Sequence, residues 1–113
     1  MHNLTLPIHF FRSETGNEPV RDWLKSLTAL DRKMIGEDLK TVQFGWPLGM
    51  PLVRKMDKDL WEVRVRLDNR IARILFTITR THLVLLHGFI KKSNNTPKDD
   101  LALAKRRLRQ LEE

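Results

Sequence analysis

Arg64 and Arg66 stand two residues apart in one alternating stretch, Arg73 follows in the next, and Lys91 and Lys92 close a third. Alternation puts such residues on one face of a sheet, and guanidinium groups gathered there repel one another unless an anion sits among them. Glu62 offsets only part of that charge. Arginine meets phosphate through two parallel hydrogen bonds, and Phe89, just before the lysine pair, offers a flat face on which a base can stack. The chemistry this set suits is gripping a phosphodiester and stabilising negative charge on it. RNA or single-stranded nucleic acid is the partner class expected. The alternative, arginines that are solvated or paired with local acids, suits each one singly better than it suits the set.

Other constellations are weak. His2, His9, His82 and His87 are scattered, with no pair at helical spacing and no Cys or acid at metal-ligand spacing, so no metal is expected. His87, in an apolar run, reads first as a packed core residue. Gly45-Trp46-Pro47-Leu48-Gly49 lacks the glycine spacing and the lysine–serine pair of a phosphate loop, and no serine sits in a nucleophile elbow. The chain contains no cysteine, which removes disulfides and thiolate chemistry. No cofactor is implied.

The elements that must position the basic set follow from periodicity. Ile8-His9-Phe10-Phe11 is a short β-prone run. Pro19 suits the first turn of a helix whose apolar stripe is Val20, Trp23, Leu24 and Leu27. Thr28 is the expected N-cap of a second helix, with Asp31 three residues on, near the capping-box pattern; Leu30, Met34, Ile35, Leu39 and Val42 carry it to about Phe44. The period then changes to two. Trp61 to Leu67, Ile71 to Ile78 and Leu83 to Ile90 read as three strands joined at Asp68-Asn69 and at Thr79 to His82. Thr96-Pro97 repeats the helix-start signal, and Asp99 and Asp100 suit the positive end of the helix dipole. Leu101, Ala104, Leu108 and Leu111 form the last stripe. The expectation is one α+β domain over residues 1–113, an N-terminal helical hairpin on a three- to four-stranded antiparallel sheet with a C-terminal helix.

Composition agrees with such a domain. The 113 residues are 41% hydrophobic and 31% charged, which places the chain among folded globular proteins. The net charge is +7, and all of the excess falls in residues 54–113, with fifteen basic and eight acidic side chains. A polarised basic half suits a phosphate-rich partner or an acidic protein. Met1-His2-Asn3-Leu4 shows no secretory signal and no apolar run is long enough to span a membrane, so a cytoplasmic location and no membrane partner are expected.

The run from Trp61 to Leu67, then Arg70 to Phe76, then His87-Gly88-Phe89-Ile90-Lys91-Lys92 and Thr96-Pro97, resembles the phage-derived HigB-like branch of the RelE/ParE toxin superfamily. Phe44 to Gly49 and Pro19 to Leu24 share the resemblance, which covers nearly the whole chain. It implies the toxin of a type II toxin–antitoxin system, a ribosome-dependent, metal-independent endoribonuclease that cuts translated mRNA. It also implies a HigA-like helix-turn-helix antitoxin in a toxin–antitoxin hetero-oligomer. Carried over by position, Arg73 matches the arginine that contacts the scissile phosphate, and Arg64 falls where relatives place a lysine or arginine. Lys91 and Lys92 follow the last strand, where relatives carry further basic or aromatic catalytic residues. Arg64, Arg73 and Lys91 are therefore the expected catalytic set, with Lys91 the proton-transfer group and Glu62 and His87 its fallbacks. Arg66, Phe89 and Lys92 are the expected substrate-binding set. Some relatives carry a tyrosine or histidine near the C-terminus for proton transfer; this chain has no tyrosine and no histidine after His87. Two rival functions stay open, a ParE-like non-enzymatic inhibitor of DNA gyrase and an RNA-binding module without catalysis.

Overall fold

A computed structural model describes residues 5–112. The reading of Met1 to Leu4 and the histidine at position 2 lie outside the described residues. The chain runs β1 (Ile8–Phe10), α1 (Pro19–Ser26), α2 (Ala29–Gly45), β2 (Val53–Asp57), β3 (Leu60–Leu67), β4 (Arg70–Ile78), β5 (Leu83–Lys91) and α3 (Lys98–Glu112). The five strands form one sheet in the order β1-β5-β4-β3-β2.

The α+β class and the three-strand meander match the sequence reading, but the sheet is larger and mixed. β1 pairs parallel to β5, with Ile8 opposite Leu83, so the chain opens with a strand and not with the helices. β2 was not anticipated: of its five residues only Val53 is fully buried, and Arg54, Lys55 and Asp57 are exposed, so it carries almost no alternating signal. It is an edge strand, where charged side chains discourage pairing with other chains. The predicted turn at Asp68-Asn69 is present, with Asn69 at φ 56°, a left-handed conformation that asparagine tolerates.

Two apolar layers hold the sheet. On one face Val63, Val65, Ala72, Ile74, Phe76 and Leu85 meet Val20, Ile35, Leu39 and Val42 of the first two helices. α1 lies against β5 and α2 against β3, so the expected hairpin is spread across the sheet. At Gly88 the Trp23 side chain of α1 lies directly on β5: a Cβ there would stand 2.4 Å from Trp23 Cζ3. On the other face Leu75, Val84, Leu86 and Phe89 meet Leu101, Ala104 and Leu108 of α3, while Leu111 stays exposed. The terminal helix therefore packs on its own sheet, on the face that carries the arginines.

The helix starts differ from expectation in one informative way each. Thr28 does cap α2, its hydroxyl accepting the Asp31 N–H at 3.2 Å. Asp31 does not complete the capping box; its carboxylate binds Arg70 instead. α3 begins at Lys98, with the Pro97 carbonyl accepting from the Leu101 N–H, and the Thr96 hydroxyl points elsewhere, to Glu62. Among the described residues no helix is long and apolar enough to cross a membrane.

Candidate functional site

Strand register brings the predicted residues into rows. Arg64 of β3, Arg73 of β4 and Phe89 of β5 lie side by side across three strands. Glu62, Leu75 and His87 form the row on one side, and Arg66, Ile71 and Lys91 the row on the other. Arg64, Arg73 and Phe89 are thus brought together, with the Arg73 guanidinium carbon 5.8 Å from the Phe89 ring centroid, within cation–π range. Arg66 and Lys91 sit at opposite ends of their row with Ile71 between them, and Lys92 lies beyond the end of β5, exposed.

Arg73 is completely buried, although arginine is almost never so without partners. Burial pushes its pKa down, Glu62 opposes that shift, Arg64 adds to it, and Asp100 again opposes it. The cover comes from the segment after β5. Arg73 Nη2 donates to the Ser93 carbonyl, Arg64 Nη2 donates to the Asn94 carbonyl at 3.0 Å, and the Thr96 hydroxyl donates to Glu62 Oε2. Arg73 Nε and Nη1, Arg64 Nε and Glu62 Oε1 are buried with no hydrogen-bond partner among the described residues, Arg64 Nε lying 3.8 Å from Glu62 Oε1. An unmade bond on a buried charged donor opposes folding by more than an ordinary contact returns. The Ser93 and Asn94 carbonyl oxygens take one donor from each guanidinium, and the remaining buried donors are left for a further acceptor.

A second set lies alongside. A β-bulge inserts Leu86 between the pairs Leu75–His87 and Phe76–Leu85, so Leu86 and His87 are brought to the α3 side together. His87 Nε2 is 2.6 Å from Asp100 Oδ1, and Lys91 Nζ is 3.8 Å from Asp100 Oδ2. The Lys91 side chain is 47% exposed, so it is a solvated ion pair at the rim and is not crowded among the arginines. Arg107 of α3 reaches across to donate to the Leu86 carbonyl at 2.7 Å. Sequence reasoning missed Asp100, Thr96, Ser93 and Asn94 as parts of this site. The acids and Thr96 were legible only as helix-start signals, and backbone carbonyls leave no sequence signal.

Arg64 and Arg66 also border a cavity of about 390 Å³ between α2, the Met50–Leu52 stretch and β3, walled by Met34, Leu52 and Ile71. Asp38 faces it, its pKa raised by burial and by the neighbouring Glu37. Among the described residues no three His, Cys, Asp or Glu side chains gather as metal ligands. The arrangement can bind an anion through guanidinium donors and move a proton at His87, Glu62 or Lys91; Phe89 is buried in the α3-side layer, with His87 and Arg73 against its ring.

A search of curated proteins finds no match. Residues 22–109, which run from α1 to the last turn of α3 and hold every residue named in the site, match the family model described as phage-derived protein Gp49-like. The chain belongs to this Gp49-like family, within the RelE-like superfamily of type II toxin–antitoxin toxins.

Proposed function

We propose that the protein is the toxin of a type II toxin–antitoxin pair and that it cuts translated mRNA on the ribosome as a metal-independent endoribonuclease. The observation that carries this reading is the buried Arg64–Arg73 cluster, whose Arg73 Nε and Nη1 and Arg64 Nε have no acceptor among the described residues. Guanidinium donors fixed in a desolvated site are worth most where charge develops in a transition state. The ribose 2′-OH attacks the adjacent phosphate, giving a 2′,3′-cyclic phosphate or its opened product. Arg73 and Arg64 stabilise the phosphorane, Arg66 and Lys92 hold the flanking nucleotides, and Phe89 backs the Arg73 guanidinium. For RNA to reach Arg73, the segment from Ser93 to Thr96 moves aside, and phosphate oxygens replace the Ser93 and Asn94 carbonyls. Family membership supports an antitoxin as partner. A HigA-like helix-turn-helix protein in a hetero-oligomer, acting in the cytoplasm, is the specific form we propose.

The test is induction of the gene in bacteria with primer extension on a reporter mRNA, comparing wild type with Arg73→Ala. Loss of one such donor lowers the rate by roughly 10²–10³. Cuts confined to translated frames that vanish in the variant are the expected result. Growth arrest with intact mRNA overturns the nuclease reading, and inhibition in a gyrase supercoiling assay then assigns the ParE-like function.

A further inference from the structure

We propose that His87 is the proton donor of the cleavage step and that Asp100 is its positioning residue, an inference that rests on the nuclease reading above. Two contacts define the place of the ring, and a third ties it to Arg73. Its Nε2 lies 2.6 Å from Asp100 Oδ1, on the first turn of α3. Its plane stacks on Phe89, with centroids 5.5 Å apart and an interplanar angle of 28°. The same Phe89 ring carries the Arg73 guanidinium at 5.8 Å. His87 and Arg73 are diagonal neighbours on β5 and β4, which separates such side chains at their bases by about 7–8 Å. A phosphodiester held at Arg73 spans that gap with its leaving oxygen toward the imidazole.

His87 lies two residues before Phe89, so alternation puts both on the α3 face, and the bulge adds Leu86 to that face beside them. Arg107 holds the bulge from α3 through the Leu86 carbonyl at 2.7 Å. With Nε2 engaged by Asp100, Nδ1 has no hydrogen-bond partner among the described residues and is the nitrogen left for substrate. A carboxylate on one ring nitrogen fixes the rotation of the ring and the tautomer it adopts. The charged groups around the ring are Asp100 and Arg107 from α3, Lys91 from β5, Arg73 from β4 and Glu62 from β3. Lys91 is half exposed at the rim, and Glu62 is separated from His87 by Leu75 and capped by Thr96. His87 thus supplies the acid beside the Arg64–Arg73 cluster.

The step balances as follows in atoms. The 2′ oxygen forms a bond to phosphorus as its proton passes to water. The phosphorus–5′-oxygen bond breaks with its electron pair going to the 5′ oxygen, which takes the proton from His87 Nδ1. The products are a 2′,3′-cyclic phosphate and a 5′-hydroxyl, and water reprotonates the ring.

The experiment is single-turnover cleavage of a short mRNA bound in the ribosome, made either with the ordinary 5′ oxygen or with a bridging 5′ sulfur at the scissile position. A thiolate leaves without protonation, so it needs no acid. His87→Gln is expected to fall by about 10²–10⁴-fold on the oxygen substrate and to recover most of the wild-type rate on the sulfur one. Arg73→Ala stays slow on both. Asp100→Asn loses part of the rate on the oxygen substrate, changes the shape of the pH–rate profile and also recovers with sulfur, whereas Asp100→Glu restores part of the activity. A His87→Gln enzyme that is unimpaired, or equally slow on both substrates, overturns the inference and leaves the nuclease reading standing. Wild-type protein that cuts neither substrate overturns both. If His87→Gln loses its circular dichroism spectrum, His87→Asn and Asp100→Asn carry the same comparison.

Discussion

The Asp31 carboxylate receives both terminal nitrogens of Arg70, each at 3.0 Å, and so ties the start of α2 to the turn between β3 and β4. The bond with Arg70 holds the Asp31 carboxyl below the ordinary aspartate value of 3.8, and Asp31 in turn raises Arg70. The stabilisation is fully present above that ordinary value, begins to be lost below it, and is gone only once pH has fallen through the lowered folded value. Asp31→Asn is expected to lower the melting temperature at neutral pH. The gap between wild type and variant should narrow steadily as pH falls below the ordinary aspartate value, which thermal melts across an acid series measure. A gap that does not narrow with acid removes the ion pair from the account of stability.

Glu62 is the counter-charge beneath Arg73 and Arg64, fully buried and held by the Thr96 hydroxyl. Glu62→Gln leaves buried guanidinium charge less compensated and should destabilise the fold by about 3 kcal/mol. Thr96→Val removes one donor to the same carboxylate and should cost about 1–3 kcal/mol, while Thr96→Ser keeps the bond and the stability. Urea unfolding of the three variants orders them. Equal midpoints for Val and Ser at position 96 exclude the hydroxyl bond as the source.

Gly88 on β5 leaves room for Trp23. A methyl group there would lie 2.4 and 2.5 Å from two atoms of the indole, so the ring must move and with it α1. Gly88→Ala is expected to destabilise by about 1–3 kcal/mol as an overpacked site. Adding Trp23→Leu to the same chain should recover part of that loss. A double variant no better than the sum of its parts contradicts the contact.

Arg107 sits with its guanidinium on the Leu86 carbonyl and 5.6 Å from the Phe11 ring centroid, its pKa lowered by burial and then by Arg106. Arg107→Ala frees the carbonyl at the bulge and should cost about 1.5–3 kcal/mol. The same substitution should shift the amide resonances of Leu86 and His87 more than those of β3. Unmoved resonances at the bulge place the role of Arg107 elsewhere.

Much of this molecule could be read from residue order, and the misses share a physical cause. The alternation of Trp61 to Leu67 and of Ile71 to Ile78 is local and strong, so it predicted which side chains share one face of the sheet. The Asp68-Asn69 turn then sets the register that puts Arg64 beside Arg73. β2 escaped because an edge strand buries one side chain and shows no pattern. The partners of Glu62, Arg73 and His87 come from the segment Ser93 to Asp100, 13 to 34 residues distant. Thr96 and Asp100 fit a helix start so well that the local reading absorbed them. Long-range pairing of a residue that already has a local explanation leaves no mark in a single sequence.

The parallel pairing of β1 with β5 bears on how the chain assembles. Ile8 aligns with Leu83, so the first strand to be synthesised has no neighbour until roughly 75 further residues have followed it. The β3–β4 and β4–β5 hairpins close through short turns and can form early, whereas β1 must close the much longer loop to β5. The expected order is therefore the meander first and β1 last. Mutations in β1 should accelerate unfolding far more than they slow folding.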